Sequence, residues 1–269
     1  MSICLVNGAP ADFVSATDRG LQYGDGLFET IAVREGRPCR LDRHLARLRD
    51  GCHRLGIPAP DEDLAAREIV AVAGAGTSVV KLILTRGASG RGYRPPPVGD
   101  STRICRRFDW PRDEHDCHGA GVAIRWCATR LALQPALAGC KHLNRLEQVL
   151  ARAEWSDARV AEGLMLDMEG TVVSGTQSNL FLVRAGELLT AMIDRCGVNG
   201  VARGAVLERA RREGVRVHER RLAPADLMVA DEVFLTSAVI GAWPVIALEE
   251  HRWPVGPMTR RVQGWLAEC

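Results

Sequence analysis

Apolar positions along this chain switch between two periods, and the switches mark its elements. Leu41, Leu45, Leu48, Cys52 and Leu55 recur at the spacing of one helix face, and Pro58 follows closely enough to help end that helix. A second helix is predicted over 61–73. Short runs rich in β-branched and aromatic residues predict strands at 3–6, 28–33, 79–84 and 102–108. The stretch Arg86-Gly87-Ala88-Ser89-Gly90-Arg91-Gly92-Tyr93-Arg94-Pro95-Pro96-Pro97 holds neither period and is predicted to be a guanidinium-rich loop.

The second half starts near Gly119. It predicts a strand at 122–126 and then a helix opened by Lys141-His142-Leu143-Asn144-Arg145, whose apolar stripe is Leu143, Leu146, Val149, Leu150 and Ala153. Runs at 164–167, 171–173 and 179–183, punctuated by turns at Glu169-Gly170 and Ala185-Gly186, predict an antiparallel meander. A helix over 201–212, a strand at 232–236 and a C-terminal helix from about Met258 complete an α+β pattern rather than strict βαβ alternation. The charged, proline-containing stretch 109–118 is the candidate linker between a smaller domain, 1–108, and a larger one, 119–269.

Composition narrows the function classes. The net charge is +2, from 35 basic and 33 acidic residues interspersed along the chain, so no basic field is expected to hold nucleic acid or an anionic membrane. No apolar run is long enough to span a bilayer, and the first eight residues predict a strand and turn rather than a signal peptide, which points to the cytosol. Nine cysteines without a C-x-x-C pair predict neither a disulfide framework nor a zinc ribbon. His115-Asp116-Cys117-His118 groups four donor residues, but adjacent ligands rarely reach one tetrahedral ion, and no metal site is predicted.

The chemistry-bearing candidate is Lys141. Flanking cations such as His142 and Arg145 disfavour an ammonium, so a partly dry Lys141 would become a Schiff-base nucleophile; the alternative is a lysine on a solvated helix face. Gly200, before the helix at Val201, would leave the amides of Val201 and Ala202 at a positive dipole end suited to phosphate; the alternative is a plain helix start capped by Asn199.

Five segments in order carry a resemblance: Asp18-Arg19-Gly20-Leu21-Gln22-Tyr23-Gly24-Asp25-Gly26-Leu27-Phe28-Glu29-Thr30, Leu41-Asp42-Arg43-His44-Leu45-Ala46-Arg47-Leu48, Lys141-His142-Leu143-Asn144, Ser178-Asn179-Leu180-Phe181, and Gly200-Val201-Ala202-Arg203. Together they resemble the fold-type IV pyridoxal-phosphate enzymes, the family of branched-chain and D-amino-acid aminotransferases and aminodeoxychorismate lyase. The resemblance implies an α+β fold of two mixed domains with pyridoxal 5'-phosphate at their boundary, and a cytoplasmic homodimer acting on a small molecule. It implies that Lys141 carries the cofactor. Arg47, in the His-x-x-Arg-Leu pattern, would bind the phosphate, although helical periodicity alone puts it off the apolar stripe and predicts exposure. Asn179, Gly200, Val201 and Ala202 would complete the cofactor contacts, with Ala202 lacking the hydroxyl that many relatives place there.

Within that family, 141–148 and the loop 86–93 look like the lyases that convert 4-amino-4-deoxychorismate to 4-aminobenzoate and pyruvate, a step toward folate. That reading makes Arg91 and Tyr93 candidates for holding a dianionic substrate; each is otherwise a residue of a solvated loop. Thr30 is a candidate proton relay, or else a strand residue with a satisfied hydroxyl. One position departs from the pattern. Where the family has a glutamate beside the pyridine nitrogen, this chain has Ser174, which offers one neutral hydrogen bond and makes a weaker electron sink. Two other readings stay open: a D-amino-acid or branched-chain aminotransferase, and a pyridoxal-phosphate-binding protein with impaired catalysis.

Overall fold

The computed structural model describes residues 4–96, 100–111 and 116–269. The chain divides into two compact units, one of Met1–Pro111 with Cys140–Asn144 and Cys269, the other of Arg112–Gly139 with Arg145–Glu268. Residue 3 of the first expected strand, part of the expected linker (112–115, including His115) and Pro97 of the expected loop lie outside the described residues.

In the first unit, in chain order, are β1 (Cys4–Val6), β2 (Ala9–Pro10), α1 (Arg19–Tyr23), β3 (Gly26–Arg34), β4 (Arg37–Pro38), α2 (Leu41–Leu55), α3 (Glu62–Ala73), β5 (Ser78–Thr85) and β6 (Thr102–Asp109). The strands form one antiparallel sheet in the order β2-β1-β6-β5-β3-β4. Period-two alternation sorts its faces. Leu27, Ile31 and Val33 of β3 join Val80, Leu82 and Leu84 of β5 in a core with Leu45, Leu48 and Cys52 of α2 and Ile69 and Val72 of α3. Phe28, Thr30, Lys81 and Ile83 therefore share the opposite face, as the register Phe28 to Ile83 and Thr30 to Lys81 requires. Asp61 caps α3 by accepting from the Leu64 amide at 2.7 Å.

The second unit holds β7 (Val122–Trp126), α4 (Leu146–Arg152), β8 (Val160–Leu166), β9 (Val172–Gly175), β10 (Asn179–Arg184), β11 (Glu187–Ala191), α5 (Val201–Arg212), β12 (Val217–Arg220), α6 (Pro224–Met228), β13 (Glu232–Ser237), β14 (Gly241–Leu248), β15 (His251–Arg252) and α7 (Pro257–Ala267). The sheet runs β12-β11-β10-β13-β14-β7-β8-β9, and β9 returns to β10 through Ser174 and Asn179, closing the strands from β10 to β9 into a ring. Leu180 and Leu182 point into one core with Ile124, Leu164 and Leu235, while Phe181 and Val183 pack outward with Phe234 under α5 and α7. The Phe181 and Phe234 rings stack at 5.0 Å. The meander is antiparallel from β8 through β11, but β7 pairs in parallel with both β8 and β14.

Three expectations are corrected. Lys141 is not on a helix: α4 starts only at Leu146, and Lys141 lies in an extended segment. The stripe proposed for that helix is its exposed side, with Leu146, Val149 and Leu150 at 75%, 59% and 60% exposure, and Ala151 is the buried residue. Finally, Cys39 and Cys269 form a disulfide between residues 230 positions apart, a pairing for which spacing carries no signal.

Candidate functional site

The first unit builds its part of the site around β3. The segment 140–144 lies alongside that strand: the Phe28 amide donates to the Lys141 carbonyl at 2.9 Å, the Leu143 amide donates to the Gly26 carbonyl at 3.0 Å, and Leu27 bridges to His142. Close approach explains the glycines of Gly24-Asp25-Gly26. Gly24 ends α1 at φ +65°, and a Cβ there would meet the Asn144 carboxamide at 2.5 Å; one on Gly26 would meet Leu143 at 2.8 Å. Held this way, Lys141 places Nζ 4.3 Å from the centre of the Phe28 ring.

A second lysine shares that ring. Lys81 Nζ lies 4.9 Å from its centre, and Lys81 is the cross-strand partner of Thr30. Thus Lys141, Lys81 and Thr30 gather about Phe28 on the sheet face turned away from the helices. Lys81 was not singled out from the sequence; its signal is register, since a charged residue inside an otherwise apolar strand sits opposite a candidate site residue.

Behind β3, Glu29 is buried at 1% exposure on the helix side. It accepts from Arg47 Nε at 2.8 Å, again from Arg47 Nη2, and pairs with His44 Nδ1 at 2.6 Å. The expected exposure of Arg47 is thereby corrected: its side chain is 14% exposed, because this carboxylate draws it inward. Burial pushes the Glu29 carboxyl up, but Arg47 and His44 outweigh it and hold the group below the usual carboxylate range. Burial also holds His44 below its ordinary value despite the hydrogen bond that it donates to Glu29.

Arg91 and Tyr93 are both exposed, Tyr93 at 84%. Among the described residues, no contact joins them to Lys141, Thr30 or Arg47. Their loop is instead pinned by Arg19, which donates to Ser89 Oγ at 3.2 Å and to the carbonyls of Gly92 at 2.9 Å and Tyr93 at 3.0 Å.

In the second unit, α5 begins at Val201 with Gly200 as N-cap, and no side chain caps it. Asn199 is not the cap; its side-chain oxygen accepts from Arg203 at 3.0 Å. First-turn amides lack intrahelical acceptors, so this end suits an anion. Asn179 reaches the same turn, donating to the Val198 carbonyl at 2.9 Å, and a Cβ on Gly200 would strike its Oδ1. Ser174, 8% exposed, is the cross-strand partner of Asn179 and donates from Oγ to the Gly175 carbonyl at 2.9 Å. Among the described residues no group of His, Cys, Asp and Glu could hold a metal ion, and no helix is long and apolar enough to cross a membrane.

Comparison with known proteins identifies the family. The family model for amino-transferase class IV matches residues 26–248. Aminodeoxychorismate lyase of Vibrio harveyi is 37% identical, covering 96% of this chain and 97% of its own. A putative branched-chain-amino-acid aminotransferase of Methanocaldococcus jannaschii is 32% identical, covering 93% and 88%. Among solved structures, 4-amino-4-deoxychorismate lyase from Pseudomonas aeruginosa superposes with a TM-score of 0.94 at 53% identity over 98% of both chains. The Escherichia coli branched-chain aminotransferase gives 0.85 at 25%, covering 97% and 92%. A match across most of the chain and a full-length relative above 30% identity together place this protein in the class IV aminotransferase family.

Proposed function

We propose that this protein is a pyridoxal-phosphate-dependent lyase that converts 4-amino-4-deoxychorismate to 4-aminobenzoate and pyruvate. The observation that carries the reading is near-full-length similarity of 53% to a lyase of that name, against 25% to 32% for aminotransferases of the same fold. The residues fit the cofactor: a half-buried lysine, a half-buried arginine of the phosphate motif, and a glycine-capped helix end with no side-chain cap.

Bound pyridoxal phosphate supplies an aldehyde for imine formation and an electron-accepting ring. Lys141 Nζ would hold the cofactor aldehyde, and as a free amine it would be the base that takes the proton from the amine-bearing carbon. Its ammonium then returns a proton to the departing enolpyruvyl oxygen, with Thr30 as an alternative relay on the same face. Lys81 adds a fixed positive charge there, suited to a substrate carboxylate. Arg47 is assigned to the phosphate by its motif and held by Glu29; the amides of Val201 and Ala202 offer phosphate the same kind of contact from α5. By the family pattern Ser174 would take the place of a carboxylate that keeps the ring nitrogen protonated, a change that would disfavour repeated proton shuttling between carbons more than an elimination whose product is aromatic. Arg91 and Tyr93 remain candidates for the substrate only through their loop's similarity to the lyases.

Purified protein supplied with pyridoxal phosphate and 4-amino-4-deoxychorismate should release 4-aminobenzoate and pyruvate in equal amounts. A parallel assay with an amino acid and a 2-oxo acid tests the aminotransferase reading; activity there without 4-aminobenzoate would replace the proposal, and cofactor binding without either product would leave a binding protein. A cytoplasmic homodimer is the expected form, and light scattering of the active protein checks its size.

A further inference from the structure

We propose that Glu162 is the positioning residue of the cofactor-facing turn in the second unit, an inference that rests on the pyridoxal-phosphate reading above. Glu162 lies on β8 and is 1% exposed. Its Oε1 accepts from the Gly163 amide at 2.9 Å, the Thr176 amide at 3.1 Å and Thr176 Oγ1 at 2.5 Å. Its Oε2 accepts from the Gln177 amide at 3.2 Å and Ser178 Oγ at 2.9 Å. Among the described residues no lysine, arginine or histidine pairs with it.

A buried carboxylate without a cation is costly unless neutral donors saturate it, and here every donor but one comes from the turn joining β9 to β10. The turn has no comparable internal ladder: between Gly175 and Ser178 its main-chain closure is the Gly175 amide to the Ser178 carbonyl at 2.8 Å. The Thr176 amide also reaches the Gly163 carbonyl of β8 at 3.1 Å, and Glu162 adds the acceptor that holds Thr176 Oγ1, the Gln177 amide and Ser178 Oγ. Gly175 is part of the fit, since a Cβ there would come within 2.7 Å of Glu162 Oε2.

The residues flanking the turn give it consequence. Ser174 precedes it, Asn179 follows it, and the two are paired across the hairpin. Asn179 in turn holds the Val198 carbonyl and abuts Gly200 at the start of α5. A continuous run of hydrogen bonds and chain therefore connects Glu162 to Ser174 on one side and to the α5 amides on the other. Glu162 itself touches no ligand position; it acts through these residues.

Replacing Glu162 by Gln keeps the volume but turns one oxygen into a donor facing donors. Glu162→Gln should weaken pyridoxal-phosphate binding, measured by equilibrium dialysis, by about 10- to 100-fold. Hydrogen exchange should accelerate at the amides of Thr176, Gln177 and Asn179 while those of Leu182 and Val183 keep their protection. Thr176→Val and Thr176→Ser extend the test in case Glu162→Gln does not fold: valine should reproduce the loss, and serine, which retains the hydroxyl, should restore binding and the visible absorbance of the bound cofactor. Wild-type affinity in Glu162→Gln and Thr176→Val overturns the inference, as does an affinity loss shared equally by Thr176→Val and Thr176→Ser. Wild-type protein that binds no pyridoxal phosphate removes the functional reading itself, and this inference with it.

Discussion

Phe28 meets Lys141 twice: its amide donates to the lysine carbonyl at 2.9 Å, and its ring centre lies 4.3 Å from the lysine Nζ. One residue thus sets both the backbone and the amine of the candidate nucleophile. Lys141→Ala should abolish the visible absorbance of the lysine-bound cofactor and the lyase activity. Lys81 faces the same ring, so it is the rival attachment point. Borohydride reduction of the loaded enzyme followed by peptide mapping decides between them, and label on Lys81 would reverse the assignment.

Lys81→Met tests a separate role on that face. Removing a fixed charge from substrate but not from cofactor should raise KM for the dianionic substrate by about tenfold, the value of one charge-assisted contact, with cofactor affinity retained. Unchanged KM would return Lys81 to a packing role over Phe28.

Arg47→Ala should damage folding as well as cofactor binding, because it leaves the Glu29 carboxylate buried with His44 as its remaining side-chain partner. Breaking a pair of this kind costs about 3 kcal/mol. Urea denaturation of the apo protein reads that loss, and dialysis of pyridoxal phosphate reads the other; an apo stability equal to wild type would show the Glu29 contact to be idle.

Acid should destabilise the protein in two stages. The folded His44 is held below its ordinary value of 6.5, so the unfolded chain takes up a proton there first as pH falls, and stability declines from about that pH until the folded group protonates as well. Glu29, held below its ordinary 4.5, adds a further loss below that value. Urea midpoints at pH 8 and pH 5.5 should differ less in His44→Gln than in wild type; an equal difference would assign the acid sensitivity elsewhere.

Ser174→Glu restores a carboxylate beside Asn179, in a position now occupied by a small side chain bonded to the Gly175 carbonyl. If Ser174 faces the ring nitrogen, the added charge raises that nitrogen's proton affinity and increases aminotransferase side activity. Cofactor affinity is measured first, because a misplaced buried carboxylate would lower it. Retained affinity with unaltered spectra and rates removes Ser174 from the site.

The fold was legible where one period held over a whole element. The Leu41, Leu45, Leu48, Cys52 and Leu55 stripe became α2, and the extent of α5 matches its expected range. Period failed at Lys141, where Leu143 to Ala153 mimics a helical stripe although the first part of that stretch is extended and the apolar side of the helix is exposed. Exposed leucines carry the same letters as buried ones. Strand β14 was also missed, since Pro244 interrupts it and one of its neighbours, β7, comes from a distant part of the chain.

The candidate site residues were named by motif rather than by physics. Lys141 and Arg47 entered through ordered similarity, and their geometry follows from residues that no local pattern flags: Phe28 beneath the amine, Glu29 behind the guanidinium. Glu162 and Lys81 depend on cross-strand register, which is decided by the whole sheet. Arg91 and Tyr93 lie exposed on a loop fastened by Arg19, and their role rests on the loop's resemblance alone.

The strip of chain at 140–144 that lines β3 has a bearing on synthesis. The ribosome adds Pro111 before it adds the lysine strip, so until 140–144 emerges the Gly26 carbonyl and the Phe28 amide lack the partners that the strip supplies. A gene fragment that stops at Pro111 would therefore encode most of this unit but not its reactive amine. Such a fragment should accept a synthetic peptide spanning 140–144 as its missing strip, whereas the complementary fragment would carry Lys141 with no Phe28 to seat it.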